Sequence, residues 1–356
     1  MPGKRATVRD VAARAGVSIA TVSNVLSGNK PVNPDLRRKV EAAAKALDYW
    51  PDRVASQLRS GQAHVVGVLV PDLDDVFFTG LVSRLEVAAR RDGYDVIVAS
   101  SRDDPALEQS RLRALLGWRL AGLVAVPCSD AIPQILADES ARLPMVLADR
   151  LPPGGAFADT VMIDNAAAGA LAAGHLIATG HDDILVAASN LSIWPIRERV
   201  RGVAETAARL GHPPPRVVEL GSSAERGGEA FSRWLAANPA PGAVFGLTNV
   251  TTLAVLAGLA RSRIAVPAQC SLIGFDDYPW MSARMTPLTA IRQPLDEIAE
   301  AVWQRLRLRI GGEAGPPVNM VLNADLQIRN SVRGGAPQGD IAGQQTAATP
   351  DQGRPA

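Results

Sequence analysis

Apolar positions follow two different rules along the chain. Up to about residue 47 they recur at helical spacing: Val8, Val11, Ala12 and Ala15, then Val22, Val25 and Leu26, then Leu36, Val40, Ala43 and Leu47. Steps of three and four residues place each set on one helix face. Thr7 with Asp10 reads as a capping box and Gly16 as a helix stop. Ser18 reads as the cap of a second helix from Ile19 to about Ser27, and Asn33-Pro34 as the start of a third to about Leu47. Only Gly16 and Val17 separate the first two helices, the tight connection of a helix-turn-helix.

From about residue 63 the pattern becomes short aliphatic runs: VVGVLV (65–70), DVIVAS (95–100), GLVAVP (122–127), DILVAA (183–188), AVFGL (243–247) and SLIGF (271–275). Helical patterns follow the runs, so parallel strands wrapped by helices are predicted. An enzyme and a binding protein could both be built this way. Neither G-x-G-x-x-G nor G-x-x-x-x-G-K-[ST] follows any run, so no phosphate cradle for a nucleotide is predicted.

A helix-turn-helix could be a plain structural bundle, and its surface argues otherwise. The second helix leaves Ile19, Ala20, Thr21, Ser23 and Asn24 outside, small or polar residues that permit close approach to a DNA groove. Charge adds to this. The net +1 of the 356 residues conceals 11 Lys and Arg against 5 Asp and Glu in residues 1–63, and 26 against 31 beyond. A basic end on a mildly acidic body is expected where one end meets a polyanion.

Composition excludes several other classes. Cys128 and Cys270 are the only cysteines and each sits in an apolar stretch, so neither a disulfide framework nor a thiolate metal site is expected. The four histidines, His64, His175, His181 and His212, form no H-x-x-x-H pair, and no G-x-S-x-G elbow occurs. No metal, cofactor or catalytic residue is therefore predicted. The N-terminus MPGKRATVRD lacks an apolar core for export and no long apolar run occurs, so a cytoplasmic protein without membrane contact is expected.

The stretch TVRDVAARAGVSIATVSNVLSGNKPVNPDLRRKVEAAAKALDYWPDRVASQLRSG resembles the headpiece and hinge of LacI/GalR-family transcriptional regulators throughout its length. The resemblance implies base reading from Ile19, Ala20 and Asn24, and phosphate contacts from Thr7, Ser18, Thr21, Ser23 and Tyr49. It also implies a hinge helix that forms on DNA, with Leu58 wedging a central base step in the minor groove and Arg59 near the backbone. Ser56 departs from the common Arg of that segment.

PDLDDVFFTGL, PMVLADR, VMIDNAAAGALAAGHLIATGH and SLIGFDDYPWMSARMTPLTAIRQP are similar to the family's sensor domain, whose fold is like that of periplasmic sugar-binding proteins. The implied architecture is α/β: an all-α helix-turn-helix headpiece (1–50), a hinge (51–62), a two-lobed effector-binding and dimerisation domain with parallel sheets (63–333) and a disordered tail (334–356). Strands crossing between the lobes are expected near Asp164, Ile291 and Leu322. The implied cleft residues are Phe77, Phe78, Asp149, Arg150, Arg199, Thr248, Asn249 and Asp276, a set suited to a polyol, with aromatic faces for a sugar ring and polar groups for its hydroxyls. Phe77 and Phe78 could equally be core, and Asp149 or Asp276 could cap a helix. Ile193 stands where some relatives carry Arg and Ser223 where several carry a cleft aromatic, a gap that Trp194 or Trp280 could fill. The expected whole is a homodimeric repressor of a metabolic operon that binds double-stranded operator DNA under control of a sugar-like effector.

Overall fold

The computed structural model describes residues 6–27, 31–49, 64–151 and 157–334. Its backbone forms two compact units, Met1–His64 and Val65–Ala356. The expectations for Leu58 and Arg59, and for the tail beyond Gly334, lie outside the described residues.

The first unit is built from α1 (Val8–Ala15), α2 (Ile19–Ser27) and α3 (Pro34–Ala46). Thr7 caps α1 through a capping box: Asp10 N–H donates to Thr7 Oγ1 at 3.4 Å and Thr7 N–H to the Asp10 carboxylate at 2.7 Å. Gly16 ends the helix at φ 66°, where a side chain would be strained. The Asn33 side chain accepts the Asp35 N–H and Pro34 opens α3. Val11, Val22 and Val40, one from each helix, are fully buried in a small core that also holds Ala12, Val25 and Ala43.

The second unit is two six-stranded sheets. Its first lobe contains β1 (Val65–Val70), α4 (Val76–Arg91), β2 (Asp95–Ser100), α5 (Pro105–Leu116), β3 (Gly122–Ala125), α6 (Gln134–Glu139), β4 (Met145–Ala148) and β5 (Asp159–Ile163). The second contains α7 (Asn165–Ala178), β6 (Ile184–Ala188), α8 (Trp194–Arg209), β7 (Arg216–Glu219), α9 (Ala224–Ala237), β8 (Ala243–Gly246), α10 (Asn249–Arg261), β9 (Ser271–Phe275), α11 (Pro279–Ser282) and β10 (Thr289–Arg292). The chain then returns to the first lobe with α12 (Leu295–Ile310) and β11 (Asn319–Leu322), and ends in the second with β12 (Asp325–Gln327).

The strand orders are β11-β5-β4-β3-β1-β2 and β12-β10-β9-β8-β6-β7, parallel except for β12 against β10. Both lobes thus repeat one doubly wound pattern. In such sheets the loops at the carboxyl ends of strands meet where the strand order reverses, and ligands bind there. The chain passes between lobes at Asp164, at Gln293–Pro294 and at Asn323–Ala324, close to the three crossings expected from sequence.

Candidate functional site

In the headpiece, the face of α2 predicted to meet DNA stands outward. Ile19 is 47% exposed, Ser18, Ala20 and Ser23 are exposed, and Thr21 and Asn24 are half-buried. Ser18 Oγ accepts the Thr21 N–H at 3.1 Å and lies 2.9 Å from Thr21 Oγ1, so the same hydroxyl that starts the helix sits at its exposed N-terminal end. The positive end of the α2 dipole lies there too, favouring phosphate oxygens. Thr7 is exposed, and Tyr49 packs partly buried against the headpiece core.

In the second unit, seven of the eight predicted cleft residues come together. Phe77, Phe78, Asp149, Arg150, Arg199, Thr248 and Asp276 line one cavity between the lobes, with Asp75, Ser189, Ile193, Pro195, Ile196 and Gln293. Phe77 and Phe78 both face it and belong to the core, their rings edge-to-face at 5.2 Å. Asn249 stands behind the lining: its N–H donates to Asp276 at 3.2 Å and its side-chain oxygen accepts Trp280 Nε1 at 3.2 Å. Trp280 is thereby committed elsewhere, and neither it nor Trp194 lines the cavity. Ser223 caps α9 through the Arg226 N–H and is also absent from the lining.

Backbone geometry presents the two acids in the same way. Asp149 follows β4 at φ 61° and Asp276 follows β9 at φ 78°. Each donates its N–H to the neighbouring strand, Asp149 to the Val161 carbonyl at 2.9 Å and Asp276 to the Ile291 carbonyl at 2.8 Å, before the chain turns left-handed. Non-glycine residues adopt that conformation rarely and at a cost, which the surrounding sheet must offset.

Arg199 is the central cation. It is 4% exposed, its Nε donates to Asn165 Oδ1 at 2.8 Å, its Nη1 donates to the Leu247 carbonyl at 2.6 Å, and its guanidinium carbon lies 3.6 Å from the Phe275 ring centroid. Stacking and a fixed fork of donors hold it in one orientation. Arg150 donates to Asp103 at 2.5 Å and lies 5.1 Å above the Phe78 ring.

Burial dominates the electrostatics. It pushes the Asp276 carboxyl up to about 6, although Arg199, the Gln293 amide and the Asn249 N–H favour the ionised form. Burial also raises Asp149 against the pull of Arg199 and Arg150, and Asp75 against the Phe77 N–H and Arg150. The same desolvation lowers Arg199, opposed by Asp276 and Asp149. Both thiols are buried and pushed up to about 12, Cys128 by desolvation and Glu108, Cys270 by desolvation. They are poor nucleophiles. Among the described residues no group of His, Cys, Asp and Glu is placed to hold a metal ion, and no helix is long and apolar enough to cross a membrane.

A three-helix headpiece with an exposed recognition surface, followed by two doubly wound lobes closing on a polar cleft, defines a DNA-binding regulator with a small-molecule sensor. Residues 7–52 match the family described as bacterial regulatory proteins, lacI family, and residues 173–332 match the periplasmic binding protein-like domain. The chain is 32% identical over 329 residues to the HTH-type transcriptional regulator PtxS of Pseudomonas plecoglossicida, covering 92% of this chain and 96% of that one. It is 31% identical over 308 residues to the ribose operon repressor of Escherichia coli (strain K12), covering 86% and 93%. It superposes on a lac repressor dimer solved with operator and the anti-inducer ONPF, with TM-score 0.81, 28% identity and coverage of 93% and 100%. The chain belongs to the LacI family of bacterial transcriptional regulators.

Proposed function

We propose that this regulator is a homodimeric repressor of a metabolic operon, released from or held on its operator by a sugar-like effector bound between the lobes. The observation that carries this reading is the cleft itself: Asp149, Arg150, Arg199, Thr248 and Asp276 converge between the two lobes beside the Phe77 and Phe78 rings. A ligand that fits one lobe arrangement better than another shifts their populations, and linkage couples that shift to DNA affinity. Its apolar rings and charged hydrogen-bonding groups suit the two faces of a sugar.

The domain assignment accompanies it: residues 1–50 read the operator, 51–62 form the hinge, 63–333 bind effector and dimerise, and 334–356 are a tail. Ile19, Ala20 and Asn24 read bases, Thr7, Ser18, Thr21, Ser23 and Tyr49 hold phosphates, and Leu58 and Arg59 act in the minor groove. Met285, wholly exposed beside an apolar groove lined by Leu256, Ile264 and Val266, offers surface that a second copy would remove from water. The protein works in the cytoplasm as a binding protein without turnover chemistry, a role in keeping with its two buried, unreactive thiols.

Selection of bound duplexes from a random pool, repeated with a panel of sugars, tests the reading. A pseudo-palindrome that is enriched, and whose enrichment one sugar abolishes or strengthens, is expected. Failure to enrich any duplex sinks the operator assignment, and enrichment indifferent to every compound that binds the protein sinks the allosteric one.

A further inference from the structure

Carboxyl groups outnumber guanidiniums in the cleft. Asp75, Asp149 and Asp276 line it against Arg150 and Arg199, and no lysine or histidine is among the lining residues. The Arg150 charge is shared further, because its guanidinium pairs at 2.5 Å with Asp103, outside the lining. Four carboxylates therefore surround two guanidiniums.

Some of the arginine donors are already engaged. Arg199 directs Nε to Asn165 and Nη1 to the Leu247 carbonyl, while Arg150 Nη1 is directed to Asp103. Acceptors stand idle. Gln293 lines the cleft at 8% exposure and gives its amide N–H to Asp276 at 2.7 Å, which leaves its buried Oε1 with no partner. Asp75 uses one oxygen for the Phe77 N–H at 2.9 Å. A buried acceptor without a donor is costly, and ligand hydroxyls would relieve that cost. A carboxylate or phosphate brings more acceptors and a charge of the wrong sign into a poorly screened space.

We infer that this cleft selects its effector by charge, admitting a hydroxyl-rich ligand that bears no negative charge and rejecting sugar acids and sugar phosphates, with Asp75 as a specificity-determining residue. The inference rests on the proposed role of the cleft as the effector site. Asp75 is suited to the part because its cap on α4 and its charge are separable. An Asn at this position keeps an oxygen for the Phe77 N–H while it removes the charge and turns the second oxygen into an amide donor.

Calorimetric titration of the full-length protein tests this with pentoses and hexoses, each offered as the neutral sugar, the amino sugar, the sugar acid and the sugar phosphate. At neutral pH at least one neutral or amino form should bind, its acid and phosphate about tenfold weaker or worse, and Asp75→Asn should narrow that gap about tenfold. An acid or phosphate that binds as tightly as its neutral parent overturns charge selection while leaving the cleft an effector site. A gap unchanged in Asp75→Asn removes Asp75 from the role. If none of these compounds binds, the sugar-effector reading of the cleft fails, and the charge inference falls with it.

Discussion

The Asp130 carboxylate, on the loop after β3 in the first lobe, accepts the Trp194 backbone N–H at 2.8 Å in the first turn of α8 in the second lobe. The residue before that helix, Ile193, offers no side-chain cap. Arg197, three residues into the helix from Trp194, also pairs with Asp130. A helix N-terminus is thus capped from across the cleft, and the helix so held carries Arg199.

This bond resists opening of the lobes. The cavity volume is about 50 Å³, room for a few waters, whereas ligand sites ordinarily span roughly 300 Å³ or more. A sugar must therefore part the lobes or displace side chains, against the Asp130 contacts. Asp130→Ala should lower that cost by about 1 kcal/mol and tighten effector binding several-fold, with DNA affinity in the effector's absence changed in the effector's direction. Titration of effector on the variant checks it. Unchanged affinity would mean that the contact is equally present in the liganded protein.

Asp276 carries a pH signature. Its carboxyl is raised from an ordinary 3.8 to about 6, chiefly by burial, so the folded protein holds this proton more tightly than the unfolded chain. The stability this contributes is complete below about pH 4 and is lost as pH rises through about 6. Asp159 runs the other way. Its carboxyl is lowered by Arg309, the Val318 N–H and Arg305 against the opposing effect of burial, so its contribution is lost as pH falls below the usual Asp range. Asp276→Asn should therefore raise stability at pH 7 by up to about 3 kcal/mol, the gain fading toward pH 4, while effector affinity falls. Urea unfolding at both pH values measures this, and an equal change at each would show that Asp276 acts through packing.

Helix packing supplies a third test. A Cβ added to Gly202 on α8 would lie 1.9 Å from the Ala166 carbonyl oxygen on α7, and one added to Gly169 on α7 would lie 2.1 Å from the Arg199 carbonyl oxygen. Two glycines thus let the helices touch backbone to backbone at Arg199. Gly202→Ala must push α8 away, which should cost about 1–3 kcal/mol of stability and displace Arg199 enough to weaken effector binding more than tenfold. Calorimetry and thermal unfolding on one preparation separate the two effects. Full effector affinity in a destabilised variant would show that Arg199 tolerates the shift.

What the sequence disclosed depended on how local the cause was. The cap formed by Thr7 and Asp10, three positions apart, was legible, as were the aliphatic runs of β1, β8 and β9. The edge strands β7 and β12 were not, because RVVE and DLQ are half exposed and carry no apolar run. Phe77, Asp149 and Arg199 were reached through family resemblance. Asp75 was not singled out, because a carboxylate that caps a helix two residues away carries no local mark of a cleft role. Gln293 gave no signal, since only the crossing after β10 brings it to Asp276. The Asp130 contact joins residues 64 apart on different lobes, and the glycine contacts of α7 and α8 exist only once those helices pack.

If the proposed roles on α2 hold, base reading and phosphate holding are separable by two substitutions on one helix. Asn24 is half-buried on α2 and can offer a paired donor and acceptor to adenine, whereas Ser18 stands at the helix start. Asn24→Ala should cost about 1–3 kcal/mol on the preferred operator and less on an operator altered at one position in each half-site, relaxing specificity there. Ser18→Ala removes the cap on Thr21 N–H and, on the proposed reading, a phosphate donor, so it should weaken binding to every duplex alike and destabilise the headpiece by about 1 kcal/mol. Competition binding on a library of single-position operator variants distinguishes them. An Asn24 variant that loses affinity uniformly would be a phosphate contact, and base selection on α2 would then fall to Ile19 and Ala20, the exposed pair at its N-terminus.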